Sequence, residues 1–71
     1  MEFLLFAINH FGLGLQSRAG DTVYLKGGYA IEVEGPQLYK LLQEGQVIAP
    51  FSDVEEMCTF IETDRKLNEK N

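Results

Sequence analysis

Thr22-Val23-Tyr24-Leu25-Lys26-Gly27-Gly28-Tyr29-Ala30-Ile31-Glu32-Val33-Glu34 is the stretch on which the fold turns. Two runs rich in β-branched and aromatic residues flank a glycine pair that can take positive φ, the pattern of a β-hairpin. Opposed side chains share a face of the sheet, so alternation decides the register. A two-residue Gly27-Gly28 turn would set Leu25 against Ala30 and Val23 against Glu32, putting acid on an apolar face. A three-residue loop, Lys26-Gly27-Gly28, instead sets Leu25 against Tyr29 and Val23 against Ile31, with Val33 continuing that face. The other face then carries Thr22, Tyr24, Ala30, Glu32 and Glu34. The spacing predicts the three-residue loop, with Gly28 in the left-handed conformation that its missing Cβ permits.

Upstream, Ser17-Arg18-Ala19-Gly20-Asp21 reads as a polar turn. Before it, Phe3-Leu4-Leu5-Phe6-Ala7-Ile8 reads as a strand buried on both faces, and Phe11-Gly12-Leu13-Gly14-Leu15 as a strand with one very open face. Gly12 and Gly14 are there candidates for a close approach by a backbone, a ligand or a partner. The same region also fits a helix over residues 3 to 11, because short apolar runs are ambiguous.

Downstream, Gly35-Pro36 predicts a turn into a short helix over residues 36 to 44. Proline suits a first helical position, Leu38, Leu41 and Leu42 fall at helical spacing, and Gly45 ends it. Gln46-Val47-Ile48-Ala49, closed by Pro50, reads as a last short strand. A second helix follows, with Ser52 as its cap, Glu55 completing a capping box and Asp53 favouring the positive end of the dipole. Val54, Met57, Cys58 and Ile61 form its buried stripe, and Arg65 and Lys66 suit its last turn. The expected class is α+β: a small antiparallel sheet of three to five strands, two short helices mainly on one face, in the order β-β-β-β-α-(β)-α. Residues 1–67 would make one compact domain, with 68–71 as a frayed tail.

The 71 residues bound what such a domain can do. A chain of this size buries only about 60% of its unfolded surface, leaving little room for a deep cleft. Its single cysteine excludes an intrachain disulfide framework and favours a reducing cytoplasm. Phe3 to Ile8 is too short to span a membrane, and Glu2 before it argues against an export signal. Up to Ile31, the acids Glu2 and Asp21 balance Arg18 and Lys26; the whole net charge of −5 lies beyond. So acidic a chain repels phosphate, which disfavours nucleic acid as a partner.

Catalytic, cofactor and metal sites are not expected. His10 and Cys58 are the only residues of their kinds, and Cys58 falls on a buried stripe. Gly12-Leu13-Gly14 lacks the third glycine of a phosphate-binding turn. Glu32, Glu34, Glu55, Glu56 and Glu62 are candidate interaction residues, as are Gly12 and Gly14. The leading expectation is a small interaction protein, a regulator, inhibitor or accessory subunit, that binds a protein of basic surface through an acidic face or a sheet edge. The alternative is a homodimer built on an N-terminal strand containing Phe3, Phe6, Phe11 and Leu13, whose apolar surface exceeds what one thin core can bury.

Overall fold

The computed structural model describes residues 2–69 and is α+β. In chain order the elements are α1 (Glu2–His10), β1 (Leu15–Ala19), β2 (Thr22–Leu25), β3 (Tyr29–Gly35), β4 (Leu38–Gln43), β5 (Gln46–Phe51) and α2 (Val54–Glu69). The five strands form an antiparallel meander in the order β1-β2-β3-β4-β5. Both helices lie against one face of it. Leu4, Ala7 and Ile8 of α1 meet Val54, Met57, Cys58 and Ile61 of α2 over Val23, Leu25, Tyr29, Ile31 and Leu41 of the sheet.

The expected hairpin register holds. Val23 stands opposite Ile31 and Tyr24 opposite Ala30, which leaves Lys26-Gly27-Gly28 as the loop. Gly27 and Gly28 both take positive φ, +88° and +84°. Val23, Leu25, Tyr29 and Ile31 are buried, and Val33 is half-buried beside them.

The N-terminal run is a helix, the alternative that its apolar spacing also allowed, and not the strand that was expected first. Leu4, Ala7 and Ile8 recur at i, i+3 and i+4, enough to seat one side of α1 on the core. Its end is a Schellman motif: the Leu13 N–H donates to the Ile8 carbonyl at 3.1 Å and the Gly12 N–H to that of Asn9 at 3.1 Å. Gly12, at φ +66°, therefore terminates a helix where an open strand was expected. Gly14 belongs to the loop that follows. A Cβ there would lie 2.7 Å from the Lys26 side chain, and its carbonyl accepts the Lys26 N–H at 2.9 Å.

Residues 36 to 44 are not helical either. Leu38–Gln43 is strand β4, paired with β3 on one side and β5 on the other. Leu41 faces the core beside Tyr39 and is fully buried, whereas Leu42 faces away and Leu38 is exposed, so the strand divides between its two faces leucines whose spacing is helical. Glu44 and Gly45 form a two-residue turn with φ of +51° and +84°, the positive pair that a type I′ hairpin needs. The strand expected at Gln46 extends to Phe51.

Helix α2 starts one residue later than expected. Asp53, not Ser52, caps it: its carboxylate accepts the Glu55 N–H at 2.8 Å, and its carbonyl accepts the Met57 N–H at 3.1 Å. The helix continues through residues 68 and 69, where a frayed tail was expected; Lys70 and Asn71 lie outside the described residues. Two polar ties hold its C-terminal half. Tyr29 donates its hydroxyl to Asp64, and Arg65 donates from Nη1 to the Leu13 carbonyl at 2.9 Å.

Candidate functional site

Helix α1 is apolar on two sides. While Leu4, Ala7 and Ile8 face the core, Phe3 and Phe6 on the far side are 63% and 66% exposed. His10 follows one turn on, its ring stacked near Phe6 (centroids 6.2 Å apart) and edge-on to Phe11 at 5.4 Å. Phe3, Phe6, Ala7, His10 and Phe11 surround an open hollow of about 220 Å³, and Glu55 from the first turn of α2 forms its remaining wall.

Glu55 also borders a second, shallower hollow, shared with Asp53, Glu56, Phe51 and Phe60. Phe51 and Phe60 pack together at 5.6 Å, with Phe60 partly exposed. The acids at the start of α2 thus stand between two aromatic groups. An exposed apolar patch with a polar rim is a mark of interaction surfaces, whose centres are enriched in aromatic residues.

The expected candidate residues separate into four places. Glu55 and Glu56 lie in the patch. Glu62 is half-buried further along α2 and lines neither hollow. Glu32 and Glu34 project from β3 on the face without helices, where Glu34 forms an ion pair with Lys40 at 3.1 Å. The acids therefore make two surfaces on opposite sides of the sheet, not one. Gly12 and Gly14 lie in the α1–β1 loop, Gly12 ending the helix and Gly14 making room for Lys26.

The sheet edges are poorly suited to strand addition. Both β1 and β5 carry a bulge, and Pro50 removes a donor from β5. Phe51 and Phe60 are absent from the sequence-based candidates, although Phe60 falls off the Val54-Met57-Cys58-Ile61 stripe and its exposure follows from that offset.

Cys58 is fully enclosed, and burial, with a smaller contribution from Glu55, pushes its thiol up to about 11. His10 is on the surface. Among the described residues, no three His, Cys, Asp or Glu side chains are grouped to hold a metal, and no helix is long and apolar enough to cross a membrane. No family model, curated protein or solved structure matches this chain.

Proposed function

We propose that the chain is a small, non-enzymatic protein-interaction module, a regulator, inhibitor or accessory subunit acting in the cytoplasm. It presents the aromatic side of α1, with Glu55 and Glu56, to an apolar partner surface bordered by basic residues. One observation carries this reading: Phe3 and Phe6 stand exposed on a helix that is apolar on both sides. Each such ring would contribute roughly 1.5–3 kcal/mol if a partner covered it. The net charge of −5 and the acids of the patch would speed encounter with a basic surface. A lone buried thiol suits a reducing compartment.

Self-association is the second reading, favoured by the same exposed rings. Its original route, completion of a sheet by an N-terminal strand, does not apply to a helix. A two-fold contact through α1 would also bring Glu55 and Glu56 of both copies toward one interface, where like charges repel.

The test is quantitative capture from a lysate of the native host by the immobilised chain, its Phe3→Ser/Phe6→Ser variant and a Leu67→Ser control, whose residue is exposed but lies outside the patch. A protein should be retained by the chain and by the control, released by raised salt, and lost with the double variant by at least about tenfold. Equal retention by all three would remove α1 as the binding face. Micromolar dimerisation abolished by the double variant would establish the second reading instead.

A further inference from the structure

We propose that the helix-free face of the sheet carries a separate docking site, a hollow above Ala30 that takes one arginine side chain of a partner protein. Tyr24, Ala30, Leu42 and Val47 stand in register across β2, β3, β4 and β5. Ala30 is the smallest of the four, so the row dips there. The resulting cavity of about 300 Å³ has Tyr24 and Leu42 on its sides and Gln16, Thr22 and Glu32 at its margin.

The charges around it are arranged asymmetrically. Glu32 stands opposite Lys40, yet the Lys40 ammonium pairs with Glu34 at 3.1 Å. Among the described residues, Glu32 has no ion-pair partner. Tyr24 and Glu32 are diagonal neighbours across β2 and β3. Such neighbours lie about 7–8 Å apart along the sheet, so one flat cation can reach both the ring and the carboxylate.

Arginine fits that gap in three ways. Its apolar stem lies over Ala30 and Leu42, its guanidinium plane stacks on the Tyr24 ring, and its paired N–H groups donate to the Glu32 carboxylate. Lysine offers a rounder, more strongly hydrated charge that cannot make the same planar pair. This site is independent of α1, since it lies on the other face of the sheet.

The experiment is an NMR titration of the intact chain with arginine blocked at both ends, compared with blocked lysine and with blocked citrulline, a neutral isostere. Arginine should produce saturable shifts, in the millimolar range, at the Ala30 and Leu42 methyls and the Tyr24 ring. Lysine should bind more weakly and citrulline not at all. Glu32→Gln, an exchange of nearly equal shape whose folding the same spectra verify, should weaken binding by about tenfold. Tyr24→Leu should erase the preference for arginine over lysine, and Glu2→Gln, at an exposed acid that lines neither this hollow nor the aromatic patch, should change nothing. The proposal fails if no saturable shift occurs, if Glu32→Gln binds unchanged, or if the shifts follow exposed carboxylates generally.

Discussion

Cys58 shows how the setting of one residue reaches a measurable property of the whole chain. Its thiol has an ordinary value of 9.0 and is pushed up to about 11 in the fold, first by burial and then by Glu55. Between those values the folded chain holds a proton that the unfolded chain has released. Stability conferred by the neutral thiol is therefore intact below pH 9.0 and lost as pH rises toward about 11. The loss should be on the order of 2–3 kcal/mol. Urea unfolding across that window should show a steeper decline for the native chain than for Cys58→Ala. Equal slopes would mean that the thiol reaches solvent. At this scale the sequence was informative wherever neighbours differ sharply in polarity. Alternation from Val23 to Val33 distinguished core from solvent, and Cys58 was legible from its stripe. Ser52 and Asp53 could not be separated in this way, because adjacent oxygen-bearing side chains can each cap the same turn.

A dominant apolar period reveals an element, whereas a few residues at one spacing yield to the pairing available on either side. Leu38, Leu41 and Leu42 have helical spacing, yet pairing with β3 on one side and β5 on the other makes this segment a strand that divides them between its two faces. The Glu44-Gly45 turn carried the missing information, as a two-residue positive-φ hairpin in place of a helix terminus. At the N-terminus, Phe11-Gly12-Leu13 could have been read as a helix end, with glycine in the left-handed position and leucine returning to the core beside Ile8. The cap of α2 gives the test at this scale. Asp53→Ala should cost about 1 kcal/mol of unfolding free energy, whereas Ser52→Ala should stay within about 0.5 kcal/mol. A larger loss at Ser52 would return the cap to that residue.

Across the whole molecule, a thin sheet with both helices on one side has two outward-looking surfaces of different character. The helix side offers aromatic rings around Glu55 and Glu56, and the bare sheet offers the row from Tyr24 to Val47 beside Glu32. Acid content was legible from the sequence, but its division between these surfaces was not. That division depends on β3 facing away from the helices at Glu32 and Glu34, and on α2 crossing the opposite side. The excess of apolar side chains near the N-terminus was also legible. Their helical arrangement determines which remain outside: Phe3 and Phe6 do, while Leu13 is buried.

The most direct measurement of the central claim is site-specific photocrosslinking in cells that naturally make the protein, with a photoreactive phenylalanine in place of Phe6 and, as a control, in place of Leu67. Position 6 should give a discrete adduct with a different protein, and position 67 none. An adduct only with a second copy of the chain, or no adduct from position 6 above the control, would contradict it.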